Sequence, residues 1–532
     1  MSERLAFRSQ PALTLPQEEE RFDELQHNLV ERWARLRDVD SGPRDVVVIP
    51  SLSLEGLHLK TIAGVSHYEE RMLFTTMLLR HPRAHLVYVT SLPLHPALVD
   101  YYISLVRAVP AAHVRERLTL LSAYDATPRP LTAKVLERPR LIEKIKRAIR
   151  PECAHMTCFT SSHLERSLAC QLGIPLYGVN PKLLELGTKS GSRRVFRRAG
   201  IALPEGLEDL HSEQEVVQAT SDLWEAKPEL KRVVIKHDEG FSGEGNATLS
   251  LGGINHVAPG KASRANREEA IYDHLDQTRF ASHAERRDTF FAQMQSMGGI
   301  VEEFVEGLNK RSPSGQMRIN PRGELEAMST HDQLVGGPDG QTYMGCRFPA
   351  DPSYRLDIQA DTMRVGQVLV EEGVIGRAAV DFVAVEREAE PGSWDHFAIE
   401  INLRMSGTTH PLMIMRMLNE GAYDPTSGLY LTGRQEPRFY VASDSVYKPH
   451  YRGLVVDDVL DIAAVHELHY RPWTDTGVVF HLTGALSEHG KIGITAIGES
   501  PEMAQNWFER AAGALDLETQ PPSPAITQAT RG

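Results

Sequence analysis

Cysteine is scarce in this chain, with only Cys153, Cys158, Cys170 and Cys346 among 532 residues. So few thiols over such a length argue against a disulfide framework and for a reducing, cytoplasmic setting with buried thiols. Cys153 and Cys158 flank His155, but no fourth ligand accompanies them, so a structural role is favoured over zinc. Long apolar runs are also missing. No stretch reaches the roughly 18 residues a membrane span needs, and residues 1–20 lack the apolar centre of a signal peptide. Basic blocks are missing as well, and the net charge is −13, so no nucleic-acid partner is expected. There is no G-x-S-x-G elbow and no reactive-cysteine signature, which removes the usual marks of a covalent nucleophile. The loop Pro50–Gly56 after the first strand is not a G-x-G-x-x-G, so no dinucleotide follows from it. No internal repeat is visible.

At this length a single core is implausible, and three or four domains are expected. Apolar residues Phe22, Leu25, Leu29, Trp33 and Leu36 recur at helical spacing and predict an amphipathic helix from Pro16 to about Val39. Residues 44–180 alternate short apolar runs with helical stretches, among them 68–80 and 131–149, which predicts a parallel sheet with helices on its faces. Residues 440–515 carry strands at 451–456, 477–482 and 491–496 and a closing helix from Pro501, which reads as a small α+β unit. His466-Glu467-Leu468-His469 is one residue short of the zincin spacing.

The chemistry gathers between residues 187 and 420. In Phe397–Arg404 apolar residues alternate with Glu400, Asn402 and Arg404, the period of a strand. One face thus carries two oxygen donors suited to a hard cation and a guanidinium suited to a phosphate or carboxylate. An amphipathic edge strand with one wet face has the same pattern. Asp381 interrupts the nearly all-apolar strand 377–385, where a charge is costly without a partner or metal. A hairpin between these strands brings Asp381 near Glu400 and Asn402. Upstream, Lys189 heads a helix. Lys236 ends a strand followed by the glycines Gly240, Gly243 and Gly245, whose loop can fold backbone N–H groups over an anion. Arg318 can reach a phosphate or substrate carboxylate, and an ordinary salt bridge suits it equally. His331 and Asp332 are candidates to line a substrate pocket, with a turn cap as the alternative for Asp332. His410 starts a Met-rich helix that reads as core.

These features stand in one order: a lysine before a helix, a Val-Ile-Lys strand with a glycine hairpin, Glu302–Gly307 as a crossing, then Asp381 and Glu400-Ile401-Asn402-Leu403-Arg404. That order resembles the ATP-grasp superfamily. The flanking regions, with Ser329–Gln333 and Gly345–Ala350, resemble the pheganomycin-type peptide ligase group. The resemblance implies an α/β plus α+β chain: a parallel-sheet pre-ATP-grasp domain, a two-lobed ATP-grasp fold and a small α+β C-terminal domain. The expected boundaries are an N-terminal arm and helix at 1–43, the pre-ATP-grasp domain at 44–186, the ATP-grasp domain at 187–440, the C-terminal domain at 441–516 and a disordered tail at 517–532.

By the same resemblance, Lys189, Lys236, Gly240, Gly243 and Gly245 would hold ATP phosphates. Backbone groups of Glu303, Phe304 and Val305 would meet adenine. Glu306, or its rival Asn309, would meet ribose, and Asp381, Glu400 and Asn402 would hold Mg²⁺. Arg404 and Arg318 are the catalytic candidates. The implied activity is an ATP- and Mg²⁺-dependent carboxylate–amine ligase working through an acyl phosphate on small-molecule substrates, an amino acid or peptide, with a homodimer plausible. The alternatives are an ATP-grasp enzyme acting on a non-peptide acid, and a catalytically silent ATP-binding scaffold.

Overall fold

The computed structural model describes residues 13–38, 42–53, 56–240, 245–281, 285–336 and 342–519. Gly243 and the expected tail beyond Thr519 therefore lie outside the described residues. Among the described residues no helix is long and apolar enough to cross a membrane.

The chain begins with the helix Leu15–Asp38, whose Phe22, Leu25 and Leu29 are buried. A five-stranded parallel sheet follows, in the order Leu118–Ser122, Ala84–Thr90, Arg44–Ile49, Ala154–Cys158 and Leu176–Tyr177. Its central strand is buried from Asp45 to Ile49, as expected for parallel strands covered on both faces. One face packs Val47, Ile49 and Met156 against Leu141, Ile145 and Leu168. The expected helix 131–149 is two, Leu131–Leu136 and Pro139–Arg147, because proline removes a backbone donor and clashes with the preceding turn. The expected helix 68–80 is a 3₁₀ run, Val65–Arg80, far longer than such runs usually are. It carries buried charges, among them Glu69 and Arg71. Glu69 accepts from the N–H and hydroxyl of Ser91, and Arg71 pairs with Asp444 at 3.1 Å.

Next comes a five-stranded antiparallel sheet built from Gly206–Leu207, Gly299–Glu303, Arg232–His237, Asn246–Ser250 and Arg279–Phe280. Its core, with Trp224, Phe290 and Ile235, is its own. This is the smaller lobe. The larger lobe is an antiparallel sheet in which Gly376–Glu386 lies between Pro313–Ile319 and Trp394–Asn402. Leu325–Gly336, Thr342–Phe348 and Pro437–Tyr447 continue it outward.

The C-terminal region differs from expectation in two ways. The segment 451–456 is no strand, since Pro449–Gly453 is a 3₁₀ turn that leads into the helix Val456–Val465. Nor is its sheet separate, because Lys491–Gly498 pairs with Pro437–Tyr447 and so prolongs the large-lobe sheet. The helix Thr409–Leu418 is core, as expected, with Leu412, Met415 and Met417 fully buried. These residues join Met72, Tyr88, Phe348 and Tyr440 in one cluster, so the N-terminal sheet and the large lobe share a continuous apolar core.

Candidate active site

The helix Lys189–Ala199 joins the two lobes. Thr188 caps it, its hydroxyl accepting from the Gly191 N–H at 2.9 Å, and Gly200 ends it in the left-handed region. Positions 189, 192 and 193 share a face. Lys189 Nζ pairs with Glu400 Oε1 at 2.6 Å, and Ser192 Oγ accepts from the Ile401 N–H at 3.0 Å, so the helix grips the large-lobe strand. Arg193 reaches the smaller lobe, with Nη1 at 3.1 Å from Glu302 Oε2. Glu302 Oε1 also takes Lys236 Nζ at 2.5 Å. Both lysines are thus buried and held by carboxylates. The charge of Lys236 acts on Glu400 as well, so the two lysines and Glu400 converge.

Across the large-lobe strands Asp381 stands opposite Glu400. Asp381 accepts from Asn402 Nδ2 at 2.9 Å and from Gln333 Nε2 at 2.7 Å. Burial, then the neighbouring Glu400 charge, push its carboxyl up to about 6. Burial also raises Glu400, but Lys189, with Arg404 and Lys236 behind it, outweighs this and holds Glu400 below its ordinary range. Two carboxylates shifted in opposite directions thus share one end of the sheet. Among the described residues no three His, Cys, Asp or Glu side chains gather as a metal cage. The set of two carboxylates and one amide suits Mg²⁺, which takes one or two carboxylates and fills its shell with water and phosphate oxygens. Asn402 turns its Nδ2 to Asp381, so its Oδ1 is not spent there. Arg404 lies half-buried beside this pair, and its Nη1 donates to the Met405 carbonyl at 3.2 Å.

The phosphate loop is partly described. His237 N–H donates to the Gly245 carbonyl at 2.9 Å, and Gly245 has φ +81°, where an added Cβ would meet the His237 ring at 3.0 Å. Gly240 precedes the undescribed 241–244. The N–H of Lys189 donates to the Asp238 carbonyl at 3.1 Å, and the Ser190 N–H to Asp238 Oδ1 at 2.7 Å, which ties the helix start to the loop.

In the crossing, the Glu303 N–H donates to the Glu205 carbonyl and the Phe304 N–H to the Arg232 carbonyl. Lys310 Nζ takes the Val305 carbonyl. Among the described residues the Val305, Glu306 and Gly307 N–H groups have no backbone acceptor, so Val305 is one of the crossing's available donors. The Glu303 carboxylate pairs with Lys227 at 2.7 Å. Glu306 is held by Arg232 at 2.6 Å, and its rival Asn309 donates to Glu386 at 2.5 Å. Each ribose candidate therefore already has a protein partner.

The remaining candidates separate. Arg318 pairs with Glu326 at 2.5 Å and stands in register with Arg377, four residues along the strand from Asp381. His331 is fully buried on its strand, bonded to the Tyr440 hydroxyl, with burial pushing its pKa down to about 3. Asp332 accepts from Tyr354 and from the Asp351 N–H. His410 is buried against His481, Nε2 to Nε2 at 2.9 Å. These three belong to the structure rather than to the site. Sequence reasoning missed Glu302, which holds Lys236, Gln333, which holds Asp381, and Arg377, on the strand face of Asp381. Only Arg377 left a signal, because it alternates with Ala379 and Asp381 onto the face that carries the chemistry.

Lys189 and Lys236, held by Glu400 and Glu302, and the Asp381–Glu400 pair on adjacent strands thus lie where the helix Lys189–Ala199 joins the two antiparallel sheets. Residues 181–426 match the family model described as IQCH-like, ATP-grasp, and residues 458–510 match the PGM1 C-terminal domain. The L-propargylglycine–L-glutamate ligase of Streptantibioticus cattleyicolor is 32% identical over 466 residues, 86% of this chain and 91% of that protein. IQ motif-containing protein H of Danio rerio is 22% identical over 76% of this chain and 41% of its own length. The fold is similar to that of the biotin carboxylase–nucleotide complex from Campylobacter jejuni, with a TM-score of 0.52 and 11% identity over 92% of this chain and 98% of that one. The chain belongs to the ATP-grasp family.

Proposed function

We propose that the protein is an ATP- and Mg²⁺-dependent ligase that joins a carboxylic acid, an amino acid or peptide, to an amine and releases ADP and phosphate. The observation that carries this is the convergence of Lys189, Lys236, Asp381, Glu400 and Asn402 at one cleft. The 32% identical relative, whose name gives two amino acids as substrates, supports amino-acid partners for this chain too.

In this reading Lys189 and Lys236 would release their carboxylates and hold ATP phosphates as point charges. The Val305 N–H would bond adenine. Asp381, Glu400 and Asn402 would hold Mg²⁺, which when bound neutralises charge on the phosphoryl oxygens. The substrate's carboxylate oxygen attacks the γ-phosphorus, and the bond to the β,γ-bridging oxygen breaks with its electrons going to ADP. The amine nitrogen then attacks the acyl carbon, the C–O bond to phosphate breaks, and the amine loses a proton as the amide forms. Arg404 would stabilise charge on the acyl oxygen, where loss of one such donor costs roughly 2.7–4 kcal/mol.

The test is ADP release from MgATP across a matrix of acids and amines that starts with L-glutamate. Coupled ADP and amide formation, abolished in a folded Glu400→Gln variant, is expected. Release of AMP, or unchanged turnover in that variant, would overturn the assignment.

A further inference from the structure

Behind Arg404 lies a cavity of about 670 Å³ between the N-terminal sheet and the large lobe, well within the size of sites that enclose small ligands. Its charged walls are of one sign: Arg44, Arg318, Arg377, Arg404 and Arg416 line it, and no Asp or Glu does among the described residues. His155, also in the wall, is kept neutral, with burial, then Arg44 and Arg32, pushing its pKa down to about 4.

Arg318 keeps an answering charge in Glu326 at 2.5 Å, whereas Arg377 has no ion pair among the described residues. Arg377 Nη1 is shut off from solvent with no hydrogen-bond partner, and its Nη2 meets only the Met413 sulfur at 3.2 Å. Arg318 Nε, Arg44 Nε and the Tyr177 hydroxyl are likewise enclosed and unpartnered. Buried guanidinium nitrogens left in this way are costly, and an anion is what relieves them. Burial, together with Arg416 and Arg318, lowers the pKa of Arg377 to about 10.

This end is built with care. Gly376 has φ +111° and packs against Gly178, where an added Cβ would lie 3.3 Å from the Gly178 Cα. That close approach sets Arg377 beside Tyr177, whose ring packs on Trp33 at 5.1 Å between centroids. Arg377 and Asp381 lie on the same strand face four residues apart, about 13 Å along the strand. Ala379 pairs with Asn402, two residues from Arg377 on one segment and from Arg404 on the other, and both guanidinium groups line the same cavity.

We propose that this cavity takes the acid substrate, and that the acid carries a second anionic group held by Arg377 and Arg318 with the Tyr177 hydroxyl, while Arg404 faces the carboxyl that reacts. The proposal rests on the ligase reading above and adds the substrate class, an acid with two anionic groups. It explains why Arg318 sits away from the metal carboxylates. It also gives the N-terminal sheet a part in selecting substrate.

The test uses the full chain with MgATP and an amine panel. L-aspartate, L-glutamate and acidic dipeptides are each assayed beside their mono-amides for ADP release. The doubly anionic acids are expected to exceed their mono-amides by about tenfold or more in kcat/KM, about 1.4 kcal/mol. Arg377→Met should raise KM for the acid by a similar factor, leave KM for ATP within about twofold, and erase the preference. Arg377→Lys should restore part of it. Tyr177→Phe keeps the packing on Trp33 and gives the same readout if Arg377→Met fails to fold. Equal turnover of acids and mono-amides, or an unchanged acid KM in Tyr177→Phe and in every folded Arg377 variant, would overturn the proposal and leave the ligase reading standing. No ADP release with any pair, although MgATP binds, would overturn both.

Discussion

Replacing Asp381 by Asn should make the ligand-free protein more tolerant of high pH while removing its activity. The Asp381 carboxyl is raised to about 6 by burial and by Glu400, against an ordinary value near 3.9. A folded-state pKa above the unfolded one means that the folded protein binds the extra proton, so this group costs stability as pH rises from about 4 to about 6. Fully ionised, it costs about 3 kcal/mol, and at pH 5 about half of that. Asn carries no charge and escapes this. It also loses one of the two bonds from Asn402 and Gln333, but that loss is the same at every pH. The stability of Asp381→Asn relative to the parent should therefore improve by about 1.4 kcal/mol between pH 5 and pH 8. Urea unfolding of both proteins at the two pH values, without Mg²⁺ or nucleotide, measures it. Parallel pH dependence of the two proteins would refute the reasoning.

Two further perturbations follow from the packing. Glu302→Gln removes the carboxylate that answers both Lys236 and Arg193 in a buried setting. It should cost about 3–5 kcal/mol, read by chemical unfolding, and a loss under about 1 kcal/mol would contradict the triad. Gly376→Ala forces a side chain onto a φ of +111° and should cost about 1–3 kcal/mol by the same measurement. It should also raise KM for the acid by displacing Arg377, and an unchanged KM would argue against that coupling.

The clustering of Asp381, Glu400 and Asn402 was legible in the sequence because period-2 alternation shows which side chains share a strand face. Asp381, Glu400 and Asn402 could be placed together from the hairpin alone. Lys236 was legible as a strand end, but its partner was not, because Glu302 and Glu303 are adjacent and only tertiary pairing tells which one points inward. The 131–149 helix misled because its apolar period runs on through Pro139, where local backbone chemistry prevails. Segment 451–456 has strand-like apolar residues, yet it folds as a turn and a helix start, since the neighbouring sheet position is filled by 437–447 and 491–498. The arginine-walled cavity was hidden for another reason. Its wall comes from segments as distant as Trp33, Tyr177, Arg318, Arg377 and Arg416, and no local pattern joins them.

The central claim is that the acid is activated by phosphoryl transfer at the Lys189, Lys236, Asp381 and Glu400 cleft. The most direct measurement supplies the acid substrate labelled with ¹⁸O in its reacting carboxylate, with MgATP and amine, and follows the label by mass spectrometry. An acyl phosphate predicts one ¹⁸O in the inorganic phosphate for each amide formed, with ADP as the nucleotide product. Unlabelled phosphate, or label carried into AMP, would contradict it.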